Sequence, residues 1–331
     1  MRRREFIAGL GGVAASPLAA WAQQGDRIRR VGVLMHAAAT EAEYQSFLAA
    51  FIQGLRQLGW IEGQNLRVEV RWNAGNAGLA QTYAAQLIEL MPDVILAAST
   101  TNLTAIRQAT SAVSVVFVSV SDPVAQGFVT SVRQPGGNIT GFSGYDFSVG
   151  GKWLGLLKEA VPELARVAVM FNPDRSPQSK FFVQAIEAAG ASLGVQAIAA
   201  PVRATVDIEL ALESFARLTN GGLILTSDTF TTLRGPLIAN LADRYHLPSI
   251  GSGASFTKDG GLMYYGTDID LAGEYRRAAT YVDRILKGSK AGDLPVQAPD
   301  KYTFAINLKT AKTLGLEVPE ALLATADEVI K

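Results

Sequence analysis

The residues best suited to chemistry in this chain are small and polar, and they come in short tracts that each follow an apolar, β-branched run. In the first half these tracts are His36-Ala-Ala-Ala-Thr40, Ser99-Thr100-Thr101-Asn102, Ser119-Val-Ser121-Asp122-Pro123 and Ser143-Gly144-Tyr145. The second half has Asn172-Pro173-Asp174-Arg175-Ser176, Ser227-Asp228-Thr229, Gly251-Ser252-Gly253 and Gly266-Thr267-Asp268. Hydroxyls and amides at the start of a helix, together with its free N–H groups and dipole, favour an anion such as a carboxylate. The same residue types are the ordinary N-caps of any helix. One such tract says little; recurrence after run upon run in both halves points to binding. Two acids stand in these tracts. Asp228 is placed to hold an ammonium by a charge-assisted hydrogen bond. Asp122, followed by Pro123, serves equally as a ligand contact or as the first residue of a turn. Phe142, Tyr145, Tyr264 and Tyr265 offer rings for stacking, although strand alternation turns about half of them into the core.

Catalytic equipment is missing from the sequence. The first run, Val33-Leu34-Met35-His36, leads into Ala and Thr with no G-x-G-x-x-G, so a dinucleotide site is disfavoured. There is no phosphate-loop lysine motif and no H-E-x-x-H, and the two histidines, His36 and His246, are not spaced as metal ligands. His246 reads as a helix-end residue and His36 as a structural or cleft-lining ring. With no cysteine and no G-x-S-x-G elbow, nucleophilic hydrolysis has no apparatus. No cofactor and no metal are expected.

The elements that position these tracts alternate strand with helix, the pattern of a parallel sheet covered on both faces. Strands are expected over 31–35, 66–70, 94–98, 115–118 and 139–143, then over 167–171, 195–199, 223–225, 248–250 and 262–265. Helices intervene, with Phe47, Phe51, Leu55 and Leu58 on one face of the first, which ends at Gly59, a good left-handed C′ residue. Order of elements repeats between the halves, while residues do not. The expected fold is α/β with two doubly wound parallel-sheet lobes. Lobe 1 spans 28–143 with a returning segment around 268–305; lobe 2 spans 144–267 with a C-terminal tail around 306–331. Ligands of such sheets gather beyond the carboxyl ends of the strands, which makes the crevice between lobes the place to look.

Arg2, Arg3 and Arg4 precede a short, weakly apolar stretch and Ala20-Trp21-Ala22, a cleavage pattern that predicts a removable signal over 1–22. Arg3-Arg4-Glu5-Phe6-Ile7 looks like a twin-arginine signal, an ordinary secretory signal being the alternative. The expected location is the periplasm. No cysteine follows the signal to carry a lipid, and about 309 residues suffice for a packed core without disulfides. Thirty basic residues balance thirty acidic ones, and no basic block exists, which argues against nucleic acid as a partner.

Several stretches resemble one family of extracytoplasmic receptors. They are Val31-Gly-Val-Leu34, Gly63-Gln-Asn-Leu-Arg-Val-Glu-Val-Arg-Trp72, Pro92-Asp-Val-Ile-Leu96, Asp122-Pro-Val124 and Gln134-Pro-Gly-Gly-Asn-Ile-Thr-Gly-Phe-Ser143. Arg166-Val-Ala-Val-Met-Phe-Asn-Pro173 and Phe304-Ala-Ile-Asn-Leu-Lys-Thr-Ala-Lys-Thr-Leu-Gly315 complete the pattern. The chain is similar to ABC-transporter substrate-binding proteins that include receptors for tryptophan and other aromatic amino acids. The resemblance implies a type I periplasmic binding protein with three crossings between lobes, a monomer that delivers a small solute to a membrane permease. It implies that the Ser99–Thr101 turn holds a ligand carboxylate and Asp228 its amino group. The remaining positions expected to line the cleft are Thr40, Asp122, Phe142, Tyr145, Asn172, Ser227, Thr229, Ser252 and Tyr265. A periplasmic sensor would share every one of these features and differ in its partner; an exported enzyme would need groups the sequence lacks.

Overall fold

The computed structural model describes residues 27–267, 270–299 and 301–331. The export signal read from residues 1–22 therefore lies outside the described residues, as does Asp268.

The first sheet has five parallel strands in the order β2-β1-β3-β4-β5. They are β1 (Arg29–Met35), β2 (Leu66–Trp72), β3 (Val94–Ala98), β4 (Ser114–Val120) and β5 (Ile139–Ser143). The β3 and β5 bounds are those expected from sequence; β1, β2 and β4 run up to two residues further at an end. Helices α1 (Ala42–Gln57), α2 (Ala77–Glu89) and α3 (Thr100–Ala109) connect them. Every residue of β3 and β5 is buried, as strands covered on both faces must be. Phe47, Phe51 and Leu55 of α1 are buried, and Gly59 closes the helix with φ 91°, a conformation that suits glycine.

The chain then enters a second sheet of seven strands, order β12-β11-β10-β9-β8-β6-β7. Its strands β6 (Arg166–Phe171), β7 (Gln196–Pro201), β8 (Gly221–Leu225), β9 (Ser249–Gly251) and β10 (Met263–Thr267) are parallel where they pair. Between them run α4 (Val149–Ala160), α5 (Ser179–Leu193), α6 (Thr205–Ala216), α7 (Thr229–Thr232) and α8 (Gly235–Arg244). After β10 comes α9 (Leu271–Leu286), which packs on lobe 1. Its Tyr275, Ala278, Ala279, Tyr281 and Val282 share a core with β1, β3 and α1. Gly54 of α1 permits that approach, since a Cβ there would come within 2.8 Å of the Ala279 methyl. The chain returns to the second sheet in β11 (Tyr302–Asn307), antiparallel to β10 with Tyr302 opposite Thr267. Then α10 (Leu308–Thr313), α11 (Glu320–Ala324) and β12 (Glu328–Ile330) finish lobe 2.

In each sheet the chain order reverses once, between β1 and β3 in lobe 1 and between β6 and β8 in lobe 2. At such a switch point adjacent connections leave in opposite directions and open a crevice at the carboxyl ends of the strands. His36 and Ser99 flank the first switch point; Asn172 and Asp228 flank the second.

Candidate functional site

The carboxyl ends of the two sheets face one another. Tyr145, two residues beyond β5, donates its hydroxyl to the Ser252 carbonyl beyond β9 (2.7 Å) and accepts from the Thr267 N–H (3.3 Å). Arg175, beyond β6, stretches to the loop beyond β2, where a Cβ on Gly75 would lie 3.5 Å from its side chain. The strand ends of the two lobes are thus brought together at Tyr145 and where Arg175 approaches Gly75.

On lobe 1, Ser99 caps α3, its hydroxyl accepting from the Asn102 N–H. Its φ of 91° is unusual for a side-chain-bearing residue, and its own N–H donates to the Val118 carbonyl, tying the ends of β3 and β4 together. Thr100 and Thr101 follow as the first helical residues, whose N–H groups have no acceptor within the helix. Thr100 is buried, and its hydroxyl has no hydrogen-bond partner. Asn102, fully buried, donates to the Leu34 carbonyl and accepts from Asn73, so it fastens α3 to β1 and β2. His36 Nδ1 is buried without a partner, its ring set edge-on to Tyr44 at 4.8 Å. Burial pushes the imidazole down to about 4, against the pull of Glu41 and the Ala98 carbonyl, so the ring is neutral at physiological pH.

Glu274, in the first turn of α9, escaped the sequence reading. It is 2% exposed and accepts from the Ser119 hydroxyl at 3.3 Å. Burial pushes its carboxyl up to about 8, with Arg277 and Ser119 acting the other way. In sequence it looks like the Glu of any helical first turn, and only the fold drives it inward.

Lobe 2 contributes a tightly bonded frame. The Asp228 carboxylate accepts from the N–H groups of Asn172 (2.6 Å) and Phe230 (2.8 Å) and from the Ser176 hydroxyl (3.3 Å). Burial raises its pKa while these donors and Arg175 lower it. These bonds hold the β6 and β8 ends together and leave little acceptor capacity for a ligand ammonium. Asn172 accepts from the N–H groups of Asp174 and Arg175, shaping that loop. Arg234 stacks over Phe230 at 3.7 Å, with Arg175 at 5.8 Å from the same ring. Ser227, half-buried, leads into α7, which opens at Thr229.

Other expected residues are distributed differently. Asp122 accepts from the N–H groups of Ala125 (2.9 Å) and Phe147 (3.4 Å), the bonds of a turn-former. Phe142 is not a cleft surface: it is 1% exposed, packed in the lobe 1 core against Tyr281, on the face of β5 that α9 covers. Thr40 is exposed in the turn before α1. Tyr265 stacks on Tyr302 at 5.4 Å, next to the lobe 2 core. Ser252 is buried and serves Tyr145 through its carbonyl. Among the described residues no group of three or more His, Asp and Glu side chains is arranged to hold a metal, and no helix is long and apolar enough to cross a membrane. A groove of about 350 Å³ among Arg29, Asp93, Asn138 and Lys290 lies at the amino-terminal ends of the first sheet's strands, the end opposite these groups.

Two parallel-sheet lobes with polar strand ends turned toward each other define a bilobal binding protein of the type I periplasmic class. Residues 34–330 match the family described as ABC transporter substrate binding protein, and the chain belongs to that family. It is 26% identical over 267 residues to the "Tyrosine-binding protein" of Clostridioides difficile (strain R20291), covering 81% of this chain and 76% of that one. Among solved structures it resembles a conserved domain protein from Vibrio cholerae, with a TM-score of 0.75 and 26% identity over 92% of this chain and 100% of that one. It shares its fold with a Streptococcus pneumoniae ABC domain in complex with L-Trp, TM-score 0.72 and 22% identity, covering 91% of this chain and 99% of that one.

Proposed function

We propose that this protein is the extracytoplasmic receptor of an ABC importer, and that its lobes close on an amino acid, aromatic ones foremost. The observation that carries the reading is the start of α3 at the lobe 1 switch point. There Thr100 and Thr101 present free N–H groups, and the buried Thr100 hydroxyl lacks a partner. A ligand carboxylate supplies the acceptor and the anion that this helix start favours. The names of the relatives agree in chemistry, one a tyrosine-binding protein and another a complex with L-Trp. Delivery to a membrane permease, passage to the periplasm through the twin-arginine route and a monomeric state belong to the same reading.

A thermal-shift screen of the purified protein against the common amino acids and aromatic acids tests it. A ligand at about 100 times its Kd adds ~2.7 kcal/mol of stability, readily seen as a raised Tm. No shift with any amino acid would remove the reading.

A further inference from the structure

The geometry points to Glu274 as the group that holds the ammonium of the bound ligand, a specificity-determining residue on lobe 1; this rests on the amino-acid reading above. Three observations carry it. First, Asp228 already accepts from three donors of its own lobe, whereas the Glu274 carboxyl accepts from the Ser119 hydroxyl. Second, Glu274 is buried beside Ser119, yet among the described residues it forms no ion pair. Arg277, three residues on along α9, acts on it only from a distance and sits over Phe142. Ionising a buried carboxyl that no cation pairs with is costly, and a ligand ammonium supplies the pairing charge.

Third, the placement is right for an α-amino acid. Ser99 and Ser119 stand at the ends of neighbouring strands, joined by the Ser99 N–H to Val118 bond. Neighbouring strands are about 5 Å apart. Thr100 with its unpartnered hydroxyl adjoins the first and Glu274 bonds to the second, so one ligand's carboxylate and ammonium fit the pair. His36 Nδ1, a bare acceptor in the neutral ring, lies on the same lobe and extends the demand for a donor-rich ligand. The Ser119 hydroxyl steadies the carboxyl at 3.3 Å, from a residue whose backbone takes φ 56°.

The test uses Glu274→Gln, which keeps an acceptor oxygen for Ser119 and removes the charge. Calorimetry with L-tyrosine and L-tryptophan is compared with their des-amino analogues, phloretate and indolepropionate. The variant is expected to bind the amino acids ~30-fold more weakly or worse, and the analogues within about threefold of the parent. At neutral pH the parent should release close to one proton per amino acid bound, read from the dependence of the enthalpy on buffer ionisation, because the incoming ammonium ionises Glu274. The variant should release none. Equal loss for amino acids and analogues, or an unchanged amino-acid affinity, overturns the assignment while leaving the amino-acid reading in place. Should the variant fail to fold, the parent alone decides: des-amino analogues bound as tightly as the amino acids overturn it. Should the parent bind neither, the same comparison is made with the amino acid that the thermal-shift screen identifies; a screen with no amino-acid hit removes the amino-acid reading and this inference together.

Discussion

Replacing Asp228 by alanine should destabilise lobe 2. The side chain is 3% exposed and accepts from two backbone N–H groups, those of Asn172 and Phe230, and from the Ser176 hydroxyl. The hydroxyl can turn to another acceptor, but the two N–H groups are fixed by β6 and by the start of α7. A buried donor left unsatisfied costs ~1–3 kcal/mol, so two cost ~2–6 kcal/mol. Against this, removing a carboxylate whose pKa burial has raised returns part of its desolvation cost. A net loss of ~3 kcal/mol follows, a large share of the ~5–15 kcal/mol typical of a domain. Asp228→Asn should lose about half as much: its oxygen still serves Phe230, while its amide N–H₂ meets the Asn172 N–H donor to donor. Urea unfolding monitored by circular dichroism measures both, with the midpoint expected to fall and the slope to stay constant. An alanine variant within ~1 kcal/mol of the parent would refute the argument, since the hydrogen bonds would then contribute nothing beyond what water supplies.

Gly141 in β5 should tolerate no side chain. A Cβ there would lie 2.1 Å from the Phe117 carbonyl oxygen of the neighbouring strand, so Gly141→Ala should lose ~3 kcal/mol or more, or fail to yield soluble protein; a variant as stable as the parent in a thermal melt would contradict the packing. Stability should also depend on pH in a two-part way. Between about pH 4.5 and 6.5 the folded chain keeps an extra proton at Glu274 and lacks one at His36, so their effects oppose each other. Above 6.5 only Glu274 counts: its raised pKa makes stability fall as pH climbs toward 8, by ~2 kcal/mol at 1.36 kcal/mol per unit. Glu274→Gln should remove that fall and expose the opposite slope of His36, stability rising from about pH 4 to 6.5; a parent curve flat between 6.5 and 8 would sink the account. At the other end of the chain, replacing Arg3 and Arg4 by Lys should leave folded protein in the cytoplasm, because Lys keeps the charge without the guanidinium pair; fractionation showing normal export would assign the signal to the general secretory route.

The local periodicities were enough to read the elements. Val94–Ala98 and Ile139–Ser143 are apolar throughout because both faces of a parallel strand are covered, and Phe47, Phe51 and Leu55 recur at helical spacing because one face of α1 meets the sheet. Gly59 and Ser99 were legible as helix boundaries for the same reason, since caps answer to local backbone geometry. Strand alternation could not say which of Phe142 and Tyr145 faces the core; both are buried, and only Tyr145 reaches across to Ser252. What the tertiary structure alone decided was the fate of the acids. Asp228 and Glu274 are each a carboxylate near the start of a helix, and no pattern within ten residues of either tells them apart. Asp228 meets the Asn172 N–H, 56 residues away, and becomes a brace; Glu274 meets Ser119, 155 residues away, and among the described residues forms no ion pair. Charge balance in a buried place depends on which distant elements the fold brings there, and that information is not local to any stretch of chain.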